Sequence, residues 1–209
     1  GLSFSTAPGR AWYVPVGHAE GRQLPMQTVL EKIAPLLESD EIGKSAHNAN
    51  FDVTVLANHG VHVRNIAFDT MVAAQLVGYN ATGLKQLAFQ VLEEEMTPIT
   101  QLIGRGQKQV TFDQVAIADA VPYAAADADM TGRLRTVLEP SLEDRGVRGV
   151  FTDIEIPLVP VLVEMQRNGI IVEKERLQEM AGSLGEQLHD LEEDIYKEAP
   201  QPFNINSPQ

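Results

Sequence analysis

Two short stretches of this 209-residue chain place carboxylates at spacings that suit catalysis. The first is an Asn-x-x-Phe-Asp pattern, formed by Asn48, Phe51 and Asp52, where a strand-like segment runs into a helix-like one. Asp52 then falls in the first turn of a helix. The ordinary interpretation is a helix start, with Asn48 or Asn50 as the cap and Asp52 favoured by the helix dipole. His47, beside the motif, is expected to be a hydrogen-bonded neighbour rather than a substrate contact.

The second stretch is a Tyr-x-x-x-Asp pattern on a late helix. Tyr123 and Asp127 lie four residues apart and therefore face the same side of that helix. A phenol and a carboxylate on one face can hold a water between them and a metal ion, although the same spacing also occurs on ordinary surface or core positions. Asp129 points elsewhere and is expected to be solvated, and Asp119 is expected at the helix start.

A loop over residues 103–112 carries basic and aromatic residues between these two motifs. Arg105 and Lys108 suit contacts with phosphates, and the glycines allow a close approach of the backbone. Phe112 suits stacking on an exposed base. The alternatives are an ordinary polar loop, which is favoured for Lys108 alone, and a core anchor for the next helix, which is as good an interpretation of Phe112.

The elements that must position these residues alternate between strands and helices, which predicts an α/β domain up to about residue 148. A turn at 7–10 joins two predicted strands, and apolar spacing predicts a helix over Met26–Leu37. Pro122 is expected to start or break the late helix, and Thr82 to cap an earlier one. The remaining predicted elements are a short strand at 41–46, helices ending at Gly60 and Gly78, an extended segment at 61–70, a helix at 82–92 and one or two helices over 113–146.

The sequence changes character from Phe151 onward. A strongly apolar helix is predicted to end at Gly169, a short extended piece follows, and a long charged helix runs from Glu173 to Ala199. A narrow stripe on that helix, called the leucine stripe below, consists of Leu177, Leu184, Leu188, Leu191 and Ile195. This tail buries little by itself, so it is interpreted as the beginning of a second domain, and its stripe suits pairing with a neighbouring chain.

Composition narrows the class of protein. The chain is 44% hydrophobic, which suits a globular core, and it has no cysteine, so disulfides and thiolate metal sites are excluded. The formal charge of −13 argues against a binder that uses its whole surface for nucleic acid, yet most of the excess lies in residues 151–209. No membrane span or signal peptide is recognisable, and a soluble intracellular protein is expected.

The order of these motifs resembles the proofreading 3′–5′ exonuclease domain of the bacterial family A DNA polymerases. The stretch at 48–52 matches the second exonuclease motif of that family, and 123–127 matches the third in its tyrosine version. Residues 104–112 are similar to its substrate-contacting loop, 151–172 to the entry into the polymerase domain, and 203–209 to a segment of the thumb. Each motif is weakly specific alone, but their order over the whole chain is strongly specific.

The resemblance implies an α/β fold of the ribonuclease H-like exonuclease type, with a mixed sheet flanked by helices and its first strand missing, at residues 1–148. An α-helical partial thumb, the N-terminal part of the polymerase domain, is implied at 149–209. Two Mg²⁺ or Mn²⁺ ions would serve the complete parent site, because an all-oxygen site suits them better than zinc. The substrate would be a single-stranded 3′ end of DNA, handled in the bacterial cytoplasm at the nucleoid.

The resemblance also assigns roles to individual residues. Asp52 is a candidate ligand of the ion on the leaving-group side, and Asp127 of the ion on the nucleophile side. Tyr123 would orient the attacking water. The expected substrate-binding residues are Asn48, Phe51, Arg105 and Phe112.

One departure from the family limits what is expected of these 209 residues. No Asp-x-Glu motif lies near the N-terminus, where the first acidic residue is Glu20, so half of the metal-binding carboxylates are missing. Weak or absent hydrolysis of DNA is therefore expected of the chain alone. The alternatives are an RNA-trimming exonuclease resembling ribonuclease D, a non-catalytic domain with this fold, and an acidic α/β domain whose motifs match by chance.

Overall fold

The computed structural model describes residues 1–201 and 203–207 and divides the chain into two compact units, Gly1–Arg167 and Asn168–Gln209. The α/β class is confirmed. The first unit contains the strands β1 (Leu2–Ala7), β2 (Arg10–Val14), β3 (Lys44–Ala46) and β4 (Ile66–Asp69). Its helices are α1 (Met26–Leu37), α2 (Ala49–Asn58), α3 (Thr70–Leu76), α4 (Leu84–Leu92), α5 (Thr100–Ile103), α6 (Ile117–Asp144), α7 (Arg148–Val150) and α8 (Ile156–Asn168).

The predicted hairpin is confirmed. Strands β1 and β2 pair antiparallel, with Leu2 opposite Val14, and Gly9 occupies the turn with a φ of 73°. The Gly9 N–H donates to Asp129 Oδ1 at 2.7 Å, and Asp129 is buried. The expectation of a solvated Asp129 was therefore wrong, because the turn packs on α6 and its N–H needs an acceptor there.

The remaining strands form a separate pair. Strands β3 and β4 run parallel, with Ala46 opposite Asp69, and α2 makes the connection between them. In the part of the chain that the structure describes, no strand joins this pair to the hairpin, so the expected mixed sheet is present as two short sheets. Helix α6 packs against β1, β2 and β3 and thereby holds both sheets.

The main core lies between α3, α4 and α6. Phe68 near the end of β4 packs against Phe151 with the ring centroids 4.8 Å apart and the rings tilted by 47°, and both residues are fully buried. The first unit therefore continues past residue 148 and includes most of α8, where Val159 and Val163 are also buried. The division at 148/149, with the polymerase domain beginning at 149, stays a prediction about the family's domains.

Two local expectations were wrong. Helix α6 runs uninterrupted for 28 residues with Pro122 inside it, so this proline neither starts nor breaks the helix. It lies in the second turn, where its missing N–H removes one backbone hydrogen bond and the rest of the helix tolerates the loss. Gly83, not Thr82, occupies the cap position of α4, and Leu87 N–H donates to the Gly83 carbonyl.

The second unit contains α9 (Lys174–Glu198), which confirms the predicted long helix. The leucine stripe is exposed, at 42–60% for its five members. No strand forms at Ile170–Val172, which is exposed as well. The predicted thumb segment at 203–209 includes residues 208 and 209, which lie outside the described residues. No described helix is long and apolar enough to cross a membrane.

Candidate active site

The N-terminus of α2 is fixed by a carboxylate from another element. Asn48 is left-handed, with φ 66° and ψ 59°, and its side chain makes no capping hydrogen bond. The backbone N–H groups of Asn48 and Ala49 instead donate to the Asp69 carboxylate, at 3.2 and 2.6 Å. Asn50 reaches away to Gln166, to which its amide donates at 3.0 Å. The expectation that Asn48 or Asn50 caps this helix through its side chain was therefore wrong.

Asp69 serves a second helix with the same carboxylate. Its Oδ1 accepts hydrogen bonds from the backbone N–H groups of Met71 at 2.8 Å and Val72 at 3.3 Å, at the start of α3. Asp69 is 1% exposed, so two helix starts share one buried carboxylate. Sequence reasoning missed this residue. The available signal was an aspartate directly before an apolar helix, which is a common capping arrangement.

Asp52 lies in the first turn of α2, as predicted. Asp52 is exposed at the surface, yet the protein atoms around its carboxyl group raise its pKa to about 6. Burial is the larger cause, and the negative charge of Asp69 adds to it. The site therefore holds Asp52 in surroundings that disfavour its charged form, which a bound cation would reverse.

Two residues close to Asp52 in the sequence, Phe51 and His47, have different surroundings. Phe51 is 65% exposed, because its position on α2 turns it outward. His47 Nδ1–H donates to Thr70 Oγ1 at 2.9 Å, and Thr70 in turn donates to the Ala46 carbonyl. Burial lowers the pKa of His47, against the opposing charge of Asp69.

Tyr123 and Asp127 lie on one face of α6 as predicted, and a lysine joins them. Lys85 Nζ lies 3.8 Å from Asp127 Oδ1 and 4.0 Å from the centroid of the Tyr123 ring. Burial raises the pKa of Asp127, and Lys85 opposes this rise. The pKa of Tyr123 is raised to about 12, first by burial and then by the charge of Asp127.

Asp127 Oδ1 is the notable atom of this group, because it is buried and accepts no hydrogen bond. A buried carboxylate oxygen without a partner is costly unless a cation compensates it. The separation from Lys85 is too long for a hydrogen bond. This oxygen therefore fits a hard divalent cation, which prefers carboxylate ligands.

Lys85 was also missed by sequence reasoning. It lies in the first turn of α4, and besides Asp127 and Tyr123 it contacts the carbonyl of Thr97, to which its ammonium donates. Burial lowers the pKa of Lys85, against the charge of Asp127. No local pattern marks this lysine, because its partners come from α6 and from the segment after α4.

The loop between α4 and α6 lies over the Tyr123 side of the site. Arg105 and Lys108 are exposed, and Arg105 donates to Thr100 Oγ1 at 3.4 Å. Gly104 and Gly106 take left-handed conformations, with φ of 78° and 63°, which glycine adopts without strain. A close approach of this loop's backbone to a substrate stays a prediction.

Phe112 is half-buried and packs between two rings. Its ring centroid lies 5.8 Å from that of Tyr123 and 6.0 Å from that of His18. His18 is fixed in turn, because its Nδ1–H donates to the Val115 carbonyl at 3.0 Å and its Nε2 accepts from the Tyr13 hydroxyl at 2.6 Å. Phe112 thus anchors the loop to Tyr123, and base stacking by this residue stays a prediction.

A cavity of about 340 Å³ opens between the loop and α6. Lys85, Thr97, Gln101 and Tyr123 line it, together with Asp119 from the first turn of α6. Asp119 therefore lies at the helix start, as expected. The cavity gives the Tyr123 and Lys85 side chains a common opening to solvent.

The two carboxylates expected to hold metal have different charged neighbours. Asp52 is influenced by Asp69, an anion, and Asp127 by Lys85, a cation. Among residues 1–201 and 203–207, no group of three or more His, Asp or Glu side chains is placed to hold a metal ion. The described residues therefore do not assemble a metal site by themselves, and neither Asp52 nor Asp127 lines the cavity. Asp127 Oδ1 suits one ligand position, and further ligands are needed to complete a site.

Comparison with known proteins gives consistent results. The 3′–5′ exonuclease family model of DNA polymerase A matches residues 1–143. The DNA polymerase I of Chloroflexus aurantiacus is 43% identical over 212 residues, covering all of this chain and 22% of that protein. The DNA polymerase I of Pseudomonas aeruginosa is 40% identical over 216 residues, again covering all of this chain and 24% of that protein. The chain thus spans less than a quarter of the length of these two relatives.

Solved structures show the same fold. The POL domain of Pol1 from M. smegmatis, in complex with DNA primer-template and dNTP, aligns with a TM-score of 0.67 at 23% identity, covering 89% of this chain and 29% of that one. Brucella melitensis NrnC with bound Mg²⁺ aligns with a TM-score of 0.51 at 24% identity, covering 71% of this chain and 67% of that one. The expected ribonuclease H-like exonuclease fold is therefore confirmed. The chain belongs to the 3′–5′ exonuclease family of the family A DNA polymerases.

Proposed function

We propose that this chain is the proofreading part of a bacterial DNA polymerase, and that its site removes nucleotides from the 3′ end of DNA. Asp52 and Asp127 are the proposed ligands of Mg²⁺ or Mn²⁺, and Tyr123 is the proposed partner of the attacking water. The observation that carries the proposal is the buried, unpartnered Asp127 Oδ1 on the same helix face as Tyr123. A scaffold has no need of such an atom, because a buried carboxylate oxygen that accepts no hydrogen bond costs stability even with the Lys85 ammonium 3.8 Å away.

The proposed reaction is hydrolysis of a phosphodiester bond assisted by two divalent cations. Two divalent cations, when bound, supply an activated water and stabilise the negative charge that develops on the leaving oxygen. Asp127 would hold the cation on the side of the water, and Asp52 the one on the side of the leaving group. The raised pKa of Asp52, about 6, means that the carboxylate must lose its proton before it binds a cation. With Mg²⁺ well below saturation, nucleotide removal should therefore increase as the pH rises toward about 6, because the metal-free carboxyl group must first lose its proton.

The proposed role of Tyr123 follows from its protonation state. Its pKa of about 12 keeps the phenol neutral at physiological pH, so it does not act as a general base. The neutral hydroxyl group can accept and donate hydrogen bonds and can thus orient a water beside Asp127. The Phe112 ring and the Lys85 ammonium restrict the Tyr123 ring and favour one orientation.

The proposed substrate is a single-stranded 3′ end. Arg105 is exposed on the loop and suits a phosphate, and the exposed Phe51 and half-buried Phe112 suit bases. Asn48 suits a polar contact, because its side chain is free of the capping role. A DNA substrate implies a place in the bacterial cytoplasm at the nucleoid, with the remainder of a polymerase domain following residues 149–209.

The 209 residues alone are expected to be a poor nuclease. They provide Asp52 and Asp127, whereas hydrolysis by two cations needs several converging carboxylates, and no Asp-x-Glu lies near the N-terminus. The same chain preceded by a strand carrying Asp-x-Glu should trim a 5′-labelled single strand of DNA in Mg²⁺. Its rate should exceed that of the 209-residue chain by about a hundredfold or more, since each missing ligand weakens metal binding and activity.

The variants that test the assignment are Asp52→Asn and Asp127→Asn in the extended chain, each expected to lower the trimming rate about a hundredfold or more. Asp113→Asn is the matched control, because this exposed aspartate lies on the loop and is given no role. A strand of RNA with the same sequence measures the preference for DNA. Equal trimming by the wild type and by Asp127→Asn would refute the proposed site.

A further inference from the structure

Lys85 is the one positively charged group that the structure sets against the proposed metal ligand on α6, among the described ion pairs. Its ammonium touches three parts of the site at once. It lies 3.8 Å from Asp127 Oδ1 and over the face of the Tyr123 ring, and it donates to the Thr97 carbonyl. The lysine thus lies where α4, α6 and the segment leading to the loop meet.

The positive charge of Lys85 compensates a carboxylate that has no hydrogen bond at its buried oxygen. Asp127 Oδ1 is buried without a hydrogen bond, and the carboxylate has no other charged partner among the described salt bridges. An ammonium at this distance compensates the charge through space but leaves the oxygen free to accept a ligand. The pair is about one-third exposed on each side, so solvent weakens the attraction without cancelling it.

We infer that Lys85 is a built-in counter-ion of the site, which compensates Asp127 when no metal is bound and withdraws when a divalent cation binds there. In this role Lys85 is a positioning residue: it sets the affinity of Asp127 for the cation and holds the Tyr123 ring in the metal-free protein. The inference rests on the proposed function, because it takes Asp127 as a metal ligand.

The structure provides a place for the ammonium to move to. A lysine has a flexible four-carbon stem and three donors, so it can leave one partner while keeping another. The Thr97 carbonyl is such a partner, because the ammonium already donates to it and can keep this contact when it leaves Asp127 and the face of the Tyr123 ring. The cavity lined by Lys85, Thr97 and Tyr123 gives the side chain room to turn away from Asp127.

The test is binding of Mn²⁺ to the 209-residue chain, followed by electron paramagnetic resonance. Lys85→Met removes the charge and keeps most of the stem, so it should bind Mn²⁺ roughly three- to tenfold more tightly than the wild type. Lys32→Met is the matched control: it removes the same charge from an exposed position on α1 and should change the affinity less than twofold. Asp127→Asn should weaken binding, and adding Lys85→Met to it should bring no gain.

A second measurement reports the movement itself. The Tyr123 ring resonances, assigned by comparison with Tyr123→Phe, should shift when Mg²⁺ is added to the wild type. The shift should approach the position that the ring signals already have in metal-free Lys85→Met, because both changes take the ammonium off the ring. In Lys85→Met the same addition of Mg²⁺ should move these signals much less.

The outcomes separate this inference from the proposed function. If Asp127→Asn leaves Mn²⁺ binding unchanged, Asp127 is not a ligand, and both the metal site and the inference are overturned. If Asp127→Asn weakens binding but Lys85→Met does not strengthen it beyond the Lys32→Met control, the inference alone is wrong. Tyr123 signals that respond equally to Mg²⁺ in the wild type and in Lys85→Met would likewise exclude a departing lysine.

Discussion

The two carboxylates of the proposed site, Asp52 and Asp127, have charged neighbours of opposite sign. Asp52 lies on a helix whose start is fixed by backbone hydrogen bonds to Asp69, and its charged neighbour is that same anion. Asp127 lies in the middle of a long helix, and its charged neighbour is Lys85. Burial raises the pKa of both, but the neighbour adds to the rise at Asp52 and reduces it at Asp127.

The charged neighbours of the two carboxylates therefore differ in how easily they can move. The surroundings of Asp52 are set by a buried residue that two helix starts need, so they change only if the fold changes there. The surroundings of Asp127 depend on the end of a flexible side chain, which can move without disturbing a backbone hydrogen bond of its own helix. One half of the site is therefore expected to be fixed, and the other half adjustable.

The largest effect is expected from removing the fixed element. Asp69→Ala deprives four backbone N–H groups, at the starts of α2 and α3, of their acceptor. Two helix caps at about 0.5–2 kcal/mol each lead us to expect a loss of about 1–4 kcal/mol in the free energy of unfolding. Urea unfolding followed by circular dichroism measures this loss.

Two control variants test whether this loss comes from the missing hydrogen-bond acceptor. Asp69→Asn keeps an oxygen that can accept hydrogen bonds, so it should cost clearly less than Asp69→Ala. Asp113→Ala, at an exposed position, should stay within about 0.5 kcal/mol of the wild type. If Asp69→Ala is as mild as Asp113→Ala, the starts of α2 and α3 do not depend on Asp69, and the idea of a fixed half fails.

The next effect is the titration of Asp52. Its carboxyl signal in carbon-detected magnetic resonance should have a midpoint near pH 6, against an ordinary value of 3.8. Since the folded state then binds more protons than the unfolded state between these values, stability should fall as the pH rises from about 4 to about 6. We expect a contribution of about 1 kcal/mol, because solvent reaches the side chain and screens it.

Substitutions at Asp52 and Asp69 test what raises the pKa of Asp52. Asp52→Asn should remove this part of the pH dependence of stability. Asp69→Asn should lower the midpoint of Asp52 but leave it above 3.8, because burial is the larger cause of the shift. A midpoint that stays near 6 in Asp69→Asn would show that the neighbouring charge has no part in it.

Much of the fold could be predicted from the sequence because its signals are local. The bounds of α1 follow from apolar residues at helical spacing, and the hairpin follows from the turn at 7–10. The motif spacing of Tyr123 and Asp127 fixed their shared helix face for the same reason. In each case the residues that determine the structure lie within a few positions of one another.

The residues that were missed or misjudged have partners far along the chain. Asp129 meets Gly9, which lies 120 positions earlier, and Asp69 meets Ala49, which lies 20 positions earlier. Lys85 comes to lie beside Asp127 only when α4 packs against α6. No local pattern predicts such contacts, because they depend on how the elements pack. The sequence therefore indicates the chemistry of the site, whereas its electrostatic surroundings require the fold.

The smallest effect we expect is at Asp127, and it has the opposite sign to that at Asp52. Lys85→Met removes the cation that opposes burial, so the pKa of Asp127 should rise further in the metal-free protein. The change should be modest, because both side chains are about one-third exposed and burial is the larger cause. The carboxyl signal of Asp127 measures it, and Lys32→Met serves as the control for a charge removed elsewhere. If removal of Asp69 and removal of Lys85 shift their neighbours in the same direction, the two halves of the site do not differ in the way the contacts indicate.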